Sequence, residues 1–304
     1  METQRRKRRE RPAAAVQEFD ETEFRRSLSY RGSNAVGTVL SDMTRLRQFD
    51  REQEKKGLFC KRIAGMGGVS LMIGSICLFA EYTRTGMVLN GIGLPLTVIG
   101  VLLLFRYRRL NLDNRRYELV FGLLSLLRKD MAATACIDVA IDFTPHIHKS
   151  RLARTGKVGP WDTRYFVHPW LQMTGVLVDG TKFTLKLIER HQDRHKVKIN
   201  PRGKRKHKSK TKTSSEAILT LRVRLKRYPR FESLSGGLAD SVRMPPWVQL
   251  KSVNANGRLL TLRTVTTSPW NVPGSDSDRT TGHDGTNWIA VMFLNLYGLL
   301  DSAR

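Results

Sequence analysis

Residues 63–80 read IAGMGGVSLMIGSICLFA and residues 87–105 read MVLNGIGLPLTVIGVLLLF, and neither stretch holds a charged side chain. A helix crosses the hydrocarbon core of a bilayer, ~30 Å, in about 20 residues, so each run is long enough to span. Core helices of soluble proteins keep a polar face, and two successive stretches lack one. The six residues between them, EYTRTG, make only a turn. The pair therefore predicts a two-helix transmembrane hairpin. The first run begins after residue 62, too far from the start for a cleaved signal peptide. No Asp, Glu, Lys, Arg or His lies inside either run, which argues against a proton relay or an ion path. Small residues four apart (Ala64/Gly68, Ser70/Gly74, Gly93/Thr97) would let the two backbones approach, or form an oligomer face.

Charge sets the expected orientation. Lys61 and Arg62 precede the first run, and Arg106, Arg108 and Arg109 follow the second, whereas the turn carries only Arg84. Basic residues next to spans stay on the cytoplasmic side. Both termini are expected there.

Upstream, residues 1–35 read as a basic disordered tail that contains RRKRRER at 5–11. Residues 36–62 predict an amphipathic juxtamembrane helix, with Val36, Val39, Leu40, Met43, Leu46 and Phe49 at helical spacing. It would lie on the membrane face or dock on the following domain. Cys60, two residues before the first run, would be an acylation candidate in a eukaryotic cell.

The chain has 304 residues and 53 Lys+Arg against 27 Asp+Glu, a formal charge of +26. Residues 106–304 hold most of that excess. They read as a cationic, mostly-β cytoplasmic domain. Hairpins are expected at 115–120/123–128, at 170–178/182–189 around Asp179-Gly180, and at 248–253/258–266 around 254–257. Residues 134–143 alternate, with Asp138 and Asp142 on the polar face, and 218–226 alternates strictly with a cationic outer face. Residues 287–300 do not alternate and predict a terminal helix capped by Asp284 or Thr286.

Antiparallel hairpins closed by one helix that contains a Trp resemble the pleckstrin-homology-like architecture. A membrane hairpin followed by such a domain resembles a class of bacterial membrane proteins. The resemblance is architectural, covers roughly residues 115–300 and implies a binding and assembly module without catalysis. An open barrel or sandwich fits the same strands.

The densest feature is 191–214, where residues 194–212 hold ten Lys/Arg and no acid. With no apolar period, the segment reads as a disordered basic loop. Arg194, Lys196, Lys198, Arg202, Lys204, Arg205, Lys206, Lys208, Lys210 and Lys212 are the candidate lipid- or phosphate-binding residues. Arg222 and Arg224 would continue the cationic surface onto the sheet. Anionic headgroups, an acidic protein partner or nucleic acid would each attract this charge. Nucleic acid is the lesser candidate, because the loop has no aromatic residue for stacking. A homo-oligomer or a larger membrane assembly is also compatible.

Nothing predicts a cofactor. The pairs His146/His148 and His191/His195 lack the Cys or carboxylate neighbours of a zinc site. Asp138, Asp142 and His168 form the one conceivable acid–base set, and no P-loop, G-x-G-x-x-G or G-x-S-x-G occurs. Trp161, Trp170, Trp247 and Trp270 each follow or precede a proline and are expected to close strand ends onto a core. A non-enzymatic integral membrane protein is the expectation.

Overall fold

The computed structural model describes residues 19–201, 203–231, 234, 238–274 and 282–303. The chain divides into two compact units, Met43–Tyr117 and a β-rich unit made of Met1–Asp42 with Glu118–Arg304.

The helical unit is built from two helices. α2 (Val36–Phe79) has 44 residues and α3 (Thr83–Leu110) has 28. Both are long and apolar enough to cross a membrane, and only 11% of the most apolar window of each is buried. The sequence divides 36–62 from 63–80, whereas α2 runs through both without a break, since no Gly/Pro pair or cap interrupts it. The turn is tighter than expected. Glu81 takes a left-handed φ of 63°, the Tyr82 N–H donates to the Cys77 carbonyl at 2.9 Å, and α3 starts at Thr83.

Small residues let the two helices touch backbone to backbone. A methyl placed on Gly67 would lie 2.5 Å from Thr97 Oγ1 and 2.8 Å from the Gly93 carbonyl, and one on Gly100 would lie 2.8 Å from the Ala64 nitrogen. Ser70 Oγ donates to the Leu89 carbonyl at 2.9 Å. Gly68, expected on the packed stripe, faces open space instead. Met66, Met72, Val88, Leu102 and Phe105 point outward and are exposed.

Outside the apolar run, Asp50 is buried, accepting the Leu112 N–H at 2.8 Å and the Tyr117 hydroxyl at 3.0 Å. Burial pushes its carboxyl up to about 6, although both donors favour the ionised form. Between the unfolded value of about 3.9 and this folded value, the folded chain binds more protons than the unfolded one. This contribution to stability is full below about pH 4 and is lost as the pH rises through 6. We expect Asp50→Asn to flatten a loss of about 3 kcal/mol across that window, read from unfolding free energies at pH 4 to 7. A difference that does not depend on pH would contradict it.

The β unit begins earlier than the sequence suggests. Residues 19–35, expected in the disordered tail, are ordered. Asp20 caps α1 (Glu21–Ser27) by accepting the Thr22 N–H at 2.8 Å, and Leu28 ends the helix with a φ of 48°. β1 (Ser29–Ala35) then pairs antiparallel with β2 (Cys136–Asp142). Tyr30 is the one large apolar side chain in β1, and its hydroxyl donates to Asp42 at 2.8 Å. Residues 1–18, with the RRKRRER run, lie outside the described residues.

Residues 115–128 correct the sequence reading. The expected hairpin is a helix, α4 (Asn114–Leu127). Val120, Leu123, Leu124 and Leu127 are buried at helical spacing, and short apolar runs do not reveal helix or strand by period. Gly122 sits inside α4, where a methyl would meet Thr286 Oγ1 at 3.0 Å.

The remaining strands are β3 (Leu152–Val158), β4 (Trp161–Val176), β5 (Lys182–Ile199), β6 (Arg205–Arg222), β7 (Gln249–Asn256) and β8 (Leu259–Thr266). They form one open antiparallel sheet in the order β1-β2-β4-β5-β6-β8-β7, with β3 added on β4. The expected turn at Asp179-Gly180 is present, with Gly180 at φ 80° and its N–H donating to the Leu177 carbonyl at 2.8 Å. One sheet face buries Met173, Phe183, Leu185, Leu187, Leu219, Leu221, Leu260 and Leu262. α5 (Gly285–Ser302) covers it, capped by Asp284, which accepts the Thr286 N–H at 2.8 Å. Phe293 meets Phe183 edge-on at 5.4 Å, and Trp288 Nε1 donates to Thr264 Oγ1 at 3.0 Å. Two long apolar helices, a mostly antiparallel sheet and a closing C-terminal helix are thus the architecture.

Candidate functional site

The segment expected to be a loop at 191–214 is a paired β-ribbon. β5 and β6 are each 18 residues long and remain in register from Lys182↔Arg222 to Ile199↔Arg205. Within β6, only Ser215–Arg222 also pairs with β8, so residues 205–214 have β5 as their strand partner. The connecting turn is closed by the Asn200 N–H donating to the Lys204 carbonyl at 3.0 Å, with Gly203 at φ 73°. Arg202 lies outside the described residues.

Strand geometry sorts the charges. Successive side chains point to opposite faces, and the antiparallel register pairs even-numbered residues with even-numbered ones. Gln192 faces Lys212, Arg194 faces Lys210, Lys196 faces Lys208, and Lys198 faces Lys206. Seven cations therefore stand on one face in two rows. Directly opposed side chains lie about 5 Å apart, and same-face neighbours along a strand about 6.7 Å apart. Like charges directly opposite are destabilising. Along β5 and β6 on this face, the single carboxylate among the described residues is Glu216. It is buried and engaged by Arg190 Nε at 2.9 Å and by Arg263. Burial pushes its carboxyl up, but those two guanidinium groups hold it below the usual range.

Two aromatic rings flank the cations on the same face, and sequence reasoning missed both. Trp161, expected to close a strand end onto the core, lies under Lys196, whose Nζ is 4.4 Å from the ring centre. Arg154 covers Tyr165 at 4.2 Å. The opposite face has different chemistry. There Asp193 binds Arg164 at 2.6 Å and His195 at 2.9 Å, while His191 bonds Thr213 at 2.9 Å.

The structure separates the candidate residues accordingly. Arg194, Lys196, Lys198, Lys206, Lys208, Lys210 and Lys212 share the cationic face, Lys204 is in the turn, and Arg205 is on the other face with Ile199. Arg222 is ten residues beyond Lys212 along β6, about 33 Å at strand rise, and Arg224 follows the strand end. These two do not join the ribbon. The signal that reveals the ribbon is present in the sequence: Lys204, Lys206, Lys208, Lys210 and Lys212 alternate with Arg205, His207, Ser209 and Thr211.

The imagined acid–base set is brought together only in part. His168 Nε2 is 3.5 Å from Asp142, whereas Asp138 is engaged by Ser33. Burial pushes the Asp142 carboxyl up, and bonds from His168 and Thr144 outweigh it and hold it well below the usual range. His146 lies against His191, with the ring centres 4.5 Å apart and the planes tilted by 49°, instead of pairing with His148.

One substitution probes the charge array directly. Lys208→Glu turns the Lys196–Lys208 pair into an attractive one. We expect slower amide exchange in the ribbon, by about 0.5 kcal/mol of local stability. Faster exchange at low salt would show that the facing lysines do not repel.

No known protein family, no curated protein and no solved structure matches the chain.

Proposed function

We propose that the chain is a non-enzymatic integral membrane protein, in which an apolar helix pair keeps a cationic β unit at a bilayer and the ribbon face binds anionic headgroups. The observation that carries this reading is the facing Arg194/Lys210, Lys196/Lys208 and Lys198/Lys206 pairs, without a carboxylate partner among the described residues. A cation close to an anionic bilayer contributes about 1 kcal/mol, so seven on one face bind cooperatively and release with salt. The exposed apolar side chains of α2 and α3 support the anchor. The Lys and Arg residues that flank the apolar runs support cytoplasmic termini. Antiparallel strands closed by a Trp-bearing helix are compatible with a pleckstrin-homology-like module. Headgroups fit this face better than single-stranded nucleic acid, because the two rings described beside the cations, Trp161 and Tyr165, each already have a cation, Lys196 and Arg154, over one face.

The test uses the full chain in lipid nanodiscs. Amine-reactive labelling of Lys196, Lys198 and Lys206–Lys212 is read by mass spectrometry in neutral phosphatidylcholine discs and in discs containing phosphatidylserine. Protection in the anionic discs alone, lost at about 0.5 M salt, is expected. Equal labelling in both would overturn the reading. Protection by duplex DNA in neutral discs would replace headgroups with a polynucleotide.

A further inference from the structure

At the end of the sheet remote from the ribbon turn, five cations line one cavity of about 350 Å³: Lys182, Arg222, Arg224, Lys226 and Arg258. That volume lies within the usual range of small-molecule pockets, about 300–1,000 Å³. Among the described residues no acidic and no aromatic side chain lines it. Strand pairing gathers the cations. Lys182 on β5 stands directly opposite Arg222 on β6, and Arg222 stands opposite Leu259 on β8. Arg258 precedes Leu259, and its carbonyl accepts the Val223 N–H at 2.9 Å. Neighbouring strands are about 4.8 Å apart, so three strand ends place these backbones across about 10 Å. Lys182 and Arg222 share the face opposite the one that α5 covers, because their neighbours Phe183 and Leu221 are the buried ones.

None of the five forms an ion pair or a side-chain hydrogen bond with a described residue. Arg190 and Arg263, by contrast, share Glu216, and Arg164 holds Asp193. Arg224 is also placed in advance. A methyl on Gly180 would lie 2.5 Å from its guanidinium carbon, so that group rests directly on the turn. Its carbonyl accepts the Arg227 N–H at 2.9 Å, which ties down its backbone. The acid nearest in sequence, Asp179, keeps its charge. Burial pushes its carboxyl up, but bonds from Thr181 and Tyr228 and the charge of Arg227 hold it below the usual range. It accepts the hydroxyls of Tyr228 at 3.1 Å and of Tyr297, on α5, at 3.3 Å. It is therefore turned to the face that α5 covers and does not line the cavity. One carboxylate on the far side leaves the five cations in excess.

We propose that this cavity binds a compact anion that carries two or three linked phosphate groups. The planar forks of Arg222, Arg224 and Arg258 match phosphate oxygens in pairs, and the ammonium groups of Lys182 and Lys226 supply point charges beside them. A single phosphate would leave most of the five cations uncompensated, and a nucleobase would find no ring to stack on. A free oligophosphate and a lipid with a diphosphate headgroup share this chemistry. The site is separate from the ribbon, since Arg222 stands about 33 Å from Lys212 along β6. It does not rest on the headgroup reading of the ribbon.

Amine-reactive labelling of Lys182 and Lys226 in the full chain, read by mass spectrometry, tests it. In the first arm the chain sits in neutral phosphatidylcholine nanodiscs, and inorganic triphosphate or orthophosphate is added. In the second arm no anion is added and the discs contain diacylglycerol pyrophosphate. Triphosphate is expected to protect both lysines at a concentration about tenfold below that needed for orthophosphate. Arg224→Gln/Arg258→Gln and the single change Arg222→Gln, all at exposed positions, should each raise the triphosphate concentration required, the pair by about tenfold. Protection in the first arm marks a free oligophosphate as a source of the ligand, and protection in the second marks the bilayer. Absence of protection in both arms, orthophosphate as effective as triphosphate, or protection that neither variant changes would overturn the proposal. Lys208→Gln/Lys210→Gln alters the ribbon alone and should leave the protection of Lys182 and Lys226 unchanged. A loss there would assign the anion to the ribbon and overturn this site, so the two readings fail separately.

Discussion

Trp288→Ala destabilises the β unit by about 4 kcal/mol, as expected when a fully buried Trp is truncated and a cavity is left. Trp288 is completely buried at the start of α5. Its ring meets Trp247 at 5.7 Å and Trp270 at 6.2 Å, both near edge-on, an arrangement worth more than area burial alone. Its indole N–H donates to Thr264 Oγ1, and Thr264 in turn reaches Met292 Sδ at 3.3 Å. Truncation therefore opens a void between α5 and β8 and removes one bond from a chain of contacts. Leu259→Ala, half-exposed on the same strand β8, provides the comparison and should change stability by less than about 0.5 kcal/mol. Denaturant unfolding of the full chain in detergent, followed by tryptophan fluorescence, measures both. Equal effects would mean that α5 is not held to the sheet through this residue.

The second large effect lies in the helix pair. Gly67→Leu is expected to disrupt α2–α3 contact and to cost about 2–3 kcal/mol. Even a methyl there would sit 2.7 Å from the Thr97 backbone nitrogen, which cannot move aside as a side-chain end does. The axes must separate, and the Ser70 Oγ bond to the Leu89 carbonyl is lost with them. Gly68→Leu, one residue on, points into open space and should be close to neutral. Without a hydrophobic drive between helices in lipid, close packing and such hydrogen bonds are what hold a pair together. Stability of the full chain in mixed micelles, titrated with SDS, distinguishes the two variants. If they behave alike, the small-residue face is not the contact.

Legibility in the sequence followed burial. The two apolar runs are readable because a long uncharged stretch has few other uses. The turn at Asp179-Gly180 and the cap Asp284 are readable because their residue types carry a local mechanism. α4 is not, since RRYELVFGLLSLL has apolar residues on every side and Gly122 resembles a turn. β1 is not, since SYRGSNA is held by backbone pairing to β2 more than by side chains. The charge run at 194–212 is legible in the sequence, but its strand pairing is not. A strand exposed on both faces lacks the apolar alternation by which strands are recognised, and here lysine keeps the period instead.

Composition and patterning alone determined the two long apolar helices, a cationic strand-rich remainder, a closing terminal helix and the position of the charge. What only the tertiary structure decided is which charges stand together. The register of β5 and β6 is set in their buried halves, where Phe183, Leu185 and Leu187 must face the same core as Leu221, Leu219 and Ala217. A slip of one residue would turn those side chains to solvent. That constraint, imposed far from the ribbon turn, carries along the ladder by strand parity and sets lysine against lysine, while Arg222 stands about 33 Å farther along β6 and Arg224 beyond the strand end.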